Sequence, residues 1–416
     1  MYIRLQQTFN NIGTSIIDYK LLDLSLGRKA INLYVIRYRM LRYLSFFRNS
    51  FLLACLLSFV VSICFAQQNN VIVLVGKVTD GKTGKPLPFA NVFVNNSTIG
   101  TNADENGNYR LSGLTIGNIE MAVSFLGYET VKQTLRFEQP GLKTVHFKLI
   151  EGMQLSGVTI YARKNKKREK HLAIITRELL GKSPFAKQCK ILNPEVLKIS
   201  LDDNGHLSAQ TISPLIIENN ALGYKIYQDL DDFDFYEGRV SYGGSTRFQL
   251  LTPKDSVQKN LWRSNQKVAY QGSLKHLLAS MVSDSIWEQG FKVYQEIPDS
   301  LRMFKSVRSI NGNNTISNNL HSRIEPIQGN RLIKPGELIT ERLLVSRTML
   351  EVFYTKKRGS SPYSDMPYVY TQIKFPQGYC VITPQGWVVM PMGFEIAGFL
   401  GNDRFSSLLP ADWKRD

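Results

Sequence analysis

Histidine and cysteine, from which metal sites and many nucleophilic centres are built, are scarce here: five His and four Cys among 416 residues. The histidines His146, His171, His206, His276 and His321 stand apart, with no His-x-x-Glu or His-Glu-x-x-His pair, and no Cys-x-x-Cys occurs. A zinc site therefore has no support in spacing. No Gly-x-Ser-x-Gly elbow is present either, and Gly243-Gly244-Ser245 lacks the sharp strand-to-helix context of one, so it reads as a turn. The apolar run from Phe51 to Phe65 stops at 15 residues, short of the roughly 20 a membrane-spanning helix needs.

Acidic residues are also in deficit. Lys and Arg number 51 against 34 Asp and Glu, an excess that would suggest nucleic acid if it were spread over one fold. It is concentrated instead in the first 66 residues and in a run of six cations, Arg163, Lys164, Lys166, Lys167, Arg168 and Lys170. The remainder is dilute, so nucleic acid is not an expected partner. Clustered cations without an apolar face read as a solvated hinge rather than a membrane patch.

Residues 41–66 have the layout of a secretory signal, with Arg42 and Arg48 ahead of the apolar run and Ala66 closing it. Cleavage after Ala66 is favoured over a retained anchor. Lipid attachment at Cys64 is the alternative, weakened by Ile63 where such signals want Gly, Ala or Ser. A signal so deep in the chain is accounted for if residues 1–39 are a misassigned extension and Met40 is the start. The expected location is exported, periplasmic or outer-membrane associated. In an oxidising compartment Cys189 and Cys380 could pair, although spacing alone does not bring them together.

The most legible stretch runs from Val75 to Tyr128. Pro86 and Pro88 stand where neither a helix nor a central strand accepts them, and Asn106-Gly107 after Asp104 suits a tight turn. Between these turns the side chains alternate. Ala90, Val92 and Val94 face one way with Asn91 and Asn95 opposite; Ile119, Met121, Val123 and Phe125 face one way with Glu120 and Ser124 opposite. Val131, Leu135 and Phe137, then Val145, Phe147 and Leu149, continue the pattern. About seven short strands at this spacing predict a two-sheet sandwich.

The motifs Gly76-x-Val78-x-Asp80, Thr83-x-x-Pro86-Leu87-Pro88-x-Ala90-x-Val92-x-Val94, Gly100-Thr101-x-x-Asp104-x-x-Gly107-x-Tyr109-x-Leu111 and Gly127-Tyr128 together resemble the carboxypeptidase regulatory-like domain. The resemblance implies a prealbumin-like sandwich of the kind found beside zinc carboxypeptidases and at the front of surface and TonB-dependent proteins of Bacteroidetes-type bacteria. It implies docking or spacing and no chemistry of its own. Met153 to Lys164 resembles the stretch that leads into the plug of TonB-dependent receptors, but about 245 following residues are too few for a plug and a 22-stranded barrel.

The expected fold is multidomain: an all-β prealbumin-like sandwich at 67–150, a strand and basic linker at 151–170, an α+β region at 171–310, a polar loop at 311–335 and a β-rich part at 336–416 that ends in a β-meander. Strands are expected at Leu222 to Tyr227, Arg239 to Tyr242 and Thr246 to Leu250, separated by turns at Asp229 to Asp234 and Gly243-Gly244. Ser273 to Gln289 is predicted as a helix, with Ser273 as N-cap, Gly290 as stop, and Leu274, Leu277, Leu278, Met281, Val282 and Ile286 on one stripe. Two Pro-Gln-Gly turns, at Pro376 and Pro384, predict two hairpins.

Two motifs imitate ligand sites. Gly76 to Thr83 fits the phosphate-loop pattern by letter, but Gly84, Pro86 and Pro88 deny it the helix whose amides would face a phosphate. Asn102-x-Asp104-x-Asn106-Gly107 imitates a calcium loop, yet Gly113 stands where the bidentate Glu belongs. No catalytic, metal or cofactor-binding residue is assigned. Trp262, Trp287, Trp387 and Trp413 could offer sugar-stacking faces, though core packing accounts for most such aromatics. The first functional reading is a non-catalytic envelope protein whose sandwich docks or spaces and whose larger region binds an envelope protein or glycan. The alternative is a hydrolase with its site in 171–416 and the sandwich as accessory.

Overall fold

The structure, a computed structural model, describes residues 71–152, 166–295, 326–363, 366–389 and 395–415. The signal at 40–66, the extension at 1–39, Cys64, the stretch from Met153 to Lys164 and residues 311–325 of the expected polar loop lie outside the described residues. The chain divides into two compact units, Met1–Asn69 and Asn70–Asp416, and every described residue belongs to the second. No helix among the described residues is long and apolar enough to cross a membrane.

The sandwich has two four-stranded sheets. In one, β1 (Ile72–Asp80) pairs antiparallel with β4 (Asn108–Leu114) and parallel with β7 (Gly141–Thr144) and β8 (Phe147–Leu149). In the other the order is β3 (Gly100–Asn102), β2 (Asn91–Val94), β5 (Gly117–Ser124), β6 (Val131–Phe137), all antiparallel. The inward residues named from the alternation make the core: Val92, Met121, Val123, Phe137, Phe147 and Leu149 are all buried between the sheets.

The turns are tied by aspartates. Asp80 Oδ1 accepts from Lys82 N (2.8 Å), Thr83 N (2.6 Å) and Thr83 Oγ1 (3.0 Å), and its Oδ2 accepts from Tyr128 Oη (2.7 Å). These donors, the Thr83 amide foremost, hold the carboxyl down at about 2. Asp104 Oδ1 likewise accepts from Asn106 N and Asn108 N at 2.9 and 2.8 Å. Gly107 takes φ 76°, and a Cβ there would lie 2.6 Å from the Val78 carbonyl, so no other residue fits the turn.

Beyond the sandwich the expected linker is shorter than residues 151–170. Helix α1 (Lys166–Leu180) absorbs four of the six clustered cations, because no Gly or Pro interrupts 166–180 and Ile175, Leu179 and Leu180 give it a buried stripe. Arg168 donates to the Leu197 carbonyl (2.9 Å), which is a packing role. A six-stranded antiparallel sheet follows, ordered β10 (Leu197–Leu201), β11 (Leu207–Thr211), β13 (Tyr224–Tyr236), β12 (Leu215–Asn219), β9 (Cys189–Ile191), with β14 (Arg239–Leu250) on β13. The turns expected at Asp229 to Asp234 and at Gly243-Gly244 are not turns. They oppose one another across a bulge in one long hairpin, where Leu230 faces Gly244 and Asp232 faces Gly243. Gly244 sits at φ 147°, and a Cβ there would strike the Asp229 carbonyl at 1.7 Å, so the glycines permit the bulge rather than a reversal.

Helix α2 (Ser256–Tyr270), capped by Asp255, was not expected; α3 (Leu274–Val282) was, with its Ser273 cap accepting from His276 N (3.1 Å). It stops short of Gln289. Asp284 takes φ 51°, Ser285 N bonds Ser280 O (2.9 Å) and Asp284 N bonds Met281 O (3.4 Å), a Schellman closure with Asp in the place usually held by Gly. The whole predicted stripe still packs into one core.

That core joins α3 to two sheets, β15 (Phe291–Gln295), β18 (Leu350–Arg358), β19 (Tyr368–Lys374), β21 (Glu395–Gly398), and β16 (Ile333–Pro335), β17 (Arg342–Val345), β20 (Tyr379–Ile382). The meander is half realised. Gly386 N bonds Thr383 O (2.9 Å), and Ile382 bridges Val388, so the second Pro-Gln-Gly turn makes a short hairpin. The first turn closes too (Gly378 N to Phe375 O, 2.9 Å), but it passes the chain from β19 in one sheet to β20 in the other. Cys189 and Cys380 are free thiols in different cores, so they do not pair; burial pushes both up to about 12.

Candidate functional site

The site begins with an alternation that fails. Of the residues on β2, on β5 and just after β2 that face away from the sandwich core, Phe93, Asn95 and Ala122 are exposed by only 3%, 7% and 0%. That outer face is covered by the second region. Asn118 donates from Nδ2 to Glu341 (2.8 Å), Thr130 Oγ1 donates to Asp229 (3.2 Å), and Lys132 and Arg136 pair with Asp231 and Glu337. The two ion pairs are solvated and contribute little; burial of the apolar members and of the amide bonds holds the face.

At the end of β2 the contact becomes backbone to backbone. Asn96, at φ 60°, takes the left-handed turn that Asn tolerates. Its N donates to the Thr246 carbonyl (2.7 Å), Phe248 N donates to Ser97 O (2.9 Å), and Ser97 bridges Arg247 in parallel. Asn95 completes the joint: Oδ1 accepts from Thr246 N (2.7 Å) while Nδ2 donates to Glu120 (2.7 Å). Residues 410–413 clasp it from a third side. Ala411 N donates to Asn96 O (2.7 Å), Thr98 N and Oγ1 donate to the Asp412 carboxylate, and Lys275 Nζ donates to the carbonyls of Pro410, Ala411 and Trp413 at 2.8, 3.1 and 3.0 Å.

Lys275 and Asp229 are among the ionisable groups perturbed here. Burial drives the Lys275 ammonium down to about 8, opposed by Asp412. Burial raises Asp229, opposed by bonds from Ser245 and Thr130. Both are engaged by the structure itself, so their shifts reflect the joint and not chemistry on a substrate.

Past Ser97 the paired segments diverge and leave a cleft of about 380 Å³ between Thr98, Gly100, Thr101 and Asn102 on one wall and residues 247–250 on the other. Its one charged lining group is Arg247, whose guanidinium lies 4.2 Å above the Tyr227 ring. Tyr227 is held in place by a bond to Gln249 (2.9 Å). Among the described residues no carboxylate pairs with Arg247, a half-buried residue of the cleft wall.

The motifs weighed from sequence lie elsewhere. At Gly76 to Thr83 strand β1 ends in the Asp80 turn and no helix opens. Gly107 N bonds Asp104 O (3.0 Å), which makes the calcium-like stretch a turn. Among the described residues no three His, Cys, Asp or Glu side chains gather as a metal site. His206 Nδ1 lies 3.1 Å from Asp234 and its ring stacks on Tyr236 at 4.2 Å; among the described residues no hydroxyl nucleophile is bonded to it. His276 accepts at Nδ1 from Gly272 N (3.0 Å) and faces Gln289 with Nε2 (3.0 Å); desolvation lowers its pKa and its place is structural. Trp262 Nε1 donates to Asn220 O and Trp413 Nε1 to Gln266; Trp287 is half-exposed.

Neither Asn95 nor Arg247 was picked out from sequence. A signal existed: Phe93 between Val92 and Val94, and Ala122 between Met121 and Val123, are apolar residues on what should have been a solvated face.

Comparison with known proteins agrees with the sandwich alone. Residues 74–166 match the CarboxypepD_reg-like domain, less than a quarter of the chain. No curated protein matches the sequence. Among solved structures, a 3-chlorocatechol 1,2-dioxygenase from Rhodococcus opacus is 12% identical with TM-score 0.17, over 20% of this chain and 61% of its own. A protein of Bacteroides uniformis described as carbohydrate binding is 10% identical with TM-score 0.17, over 43% of this chain and 99% of its own. A protein of Bacteroides fragilis described as membrane-associated is 14% identical with TM-score 0.15, over 38% and 65% respectively.

Proposed function

We propose that the chain is a non-catalytic binding protein of the cell envelope, exported to the periplasm or the outer membrane. In this reading the sandwich is a fixed wall of the binding site rather than a mobile docking arm, and the ligand is an envelope protein or glycan. The observation that carries it is the junction cleft, one wall from each region, with Arg247 its charged lining residue. A site built from two regions needs them held rigidly, and the backbone bonds of Asn96 and Ser97 to β14 supply that rigidity. The envelope location rests on the signal-like stretch at 41–66 and on the CarboxypepD_reg-like match.

The test is to fractionate expressing cells and compare what co-purifies with residues 67–416 carrying Arg247 or Arg247→Ala. Retention in the envelope fraction, and a co-purifying species depleted in the variant, are expected. A cytoplasmic protein, or capture indifferent to Arg247, would end the proposal.

A further inference from the structure

Both walls of the cleft are strand edges, and the backbone can be accounted for group by group. In an antiparallel pair, residues whose peptide groups face the partner alternate with residues whose groups face away. On β14, Leu251 N turns toward β13 to reach Gly223 O (2.9 Å), whereas Thr246 O and Phe248 N turn away to meet Asn96 and Ser97. Phe248 O and Leu250 N are next on that outer side. On β3, Ile99 O accepts from Val94 N and Ala103 N donates to Ala90 O, each at 2.9 Å. Thr101 therefore faces β2, while Gly100 and Asn102 point their N–H and C=O groups outward. β3 pairs only with β2, and β14 only with β13 among the named strands. Apart from a long contact from Thr101 Oγ1 to Asn102 O (3.5 Å), no described residue meets these groups.

Unpaired edges of this kind template another strand, and proteins normally blunt them with Pro, Lys or a covering loop. Residues 100–102 and 248–250 carry neither Pro nor Lys. The isolated parallel bridge of Ser97 to Arg247 shows the outer side of β14 bonding a second backbone segment, and the cleft continues that side.

We infer that the cleft is a strand-acceptor site: an extended peptide segment of a partner protein pairs its backbone with β14 at Phe248 and Leu250 and with β3 at Gly100 and Asn102, and presents a carboxylate to Arg247. Backbone pairing supplies the affinity and the cation selects an acidic side chain at one position. This rests on the binding reading above and narrows it to one class of ligand.

The experiment titrates fluorescein-labelled Thr-Val-Asp-Val-Thr, acetylated and amidated, into residues 67–416 and follows anisotropy. Two twins accompany it, one N-methylated at alternate backbone nitrogens and one with Asn for Asp. Saturable binding is expected, weakened about tenfold or more by N-methylation, because that removes donors while keeping side chains. Leu250→Pro deletes an outward amide without breaking the ladder to β13 and is expected to match that loss. Arg247→Gln should abolish the preference for Asp over Asn. Should Leu250→Pro unfold, slowed amide exchange at Gly100, Asn102 and Leu250 on adding the peptide gives the same answer with the unaltered chain. No saturable binding, or equal binding of the N-methylated twin, overturns the inference. Arg247-dependent capture of a sulfated oligosaccharide without peptide binding also overturns it, while leaving the binding reading intact.

Discussion

The sandwich and the region after it are built by opposite means. In the sandwich the turns are closed by local devices: Asp80 closes one onto Lys82 and Thr83, and Asp104 closes one onto Asn106 and Asn108. In the second region they span the sequence. Phe405 and Leu409 return to complete a core that begins at Ile175, and Asn219 Nδ2 donates to Phe405 O (3.2 Å) and Ser406 O (3.1 Å). The lesson is that one part is organised by turn chemistry and the other by closure of distant segments, which demands more loop entropy before any contact rewards it.

The comparison is most sharply tested by Phe405→Ala. The ring is 1% exposed, and its loss should cost about 3–5 kcal/mol in urea unfolding; a cost under about 1 kcal/mol would show that the returning segment is not a core element. Next is Lys275→Ala, which leaves three carbonyls without their ammonium and should cost about 1–3 kcal/mol, with faster amide exchange at Ala411. The same lysine sets a pH signature. Its folded value of about 8 lies below the ordinary 10.5, so between these the unfolded chain holds a proton that the folded chain has released. Stability therefore rises with pH across that window, and in Lys275→Met the rise should vanish from the urea midpoints.

Smaller effects separate the regions further. Asp229 is raised by burial in the joint, so its charge opposes folding at neutral pH, and Asp229→Asn should leave thermal stability unchanged or slightly higher; a marked drop would mean that the carboxylate holds the joint. Asp80 is the reverse case. Its carboxyl is depressed from 3.8 to about 2, so its contribution is present above the ordinary value and lost as pH falls through about 2. Asp80→Asn should flatten the acid limb of the sandwich's unfolding, and an unaltered limb would show that the turn does not depend on the charge.

What was legible in sequence follows the same division. Turn residues and period-two alternation act over a few positions, so the sandwich core from Val92 to Leu149 could be written down in advance. The Ser273 cap was legible for the same reason, whereas the end of that helix was not, since Asp284 takes a place where Gly is the usual sign. Gly243-Gly244 looked like a turn because a glycine pair in isolation does not distinguish a reversal from a bulge; only its partner strand decides. Of the candidate site nothing was assigned beforehand. Arg247 is one cation among 51 basic residues, and its setting depends on a strand edge contributed by residues about 150 positions away.

The segment between β2 and β3 has a further consequence. In a free-standing sandwich a hairpin tip such as Asn95 to Thr98 is where a protease would cut first. Here Ser97 is 1% exposed and its neighbours are bonded on three sides, so nicking there can begin only after the two regions part. Cleavage at that tip thus becomes a clock for separation, readable by mass on the intact, unlabelled chain.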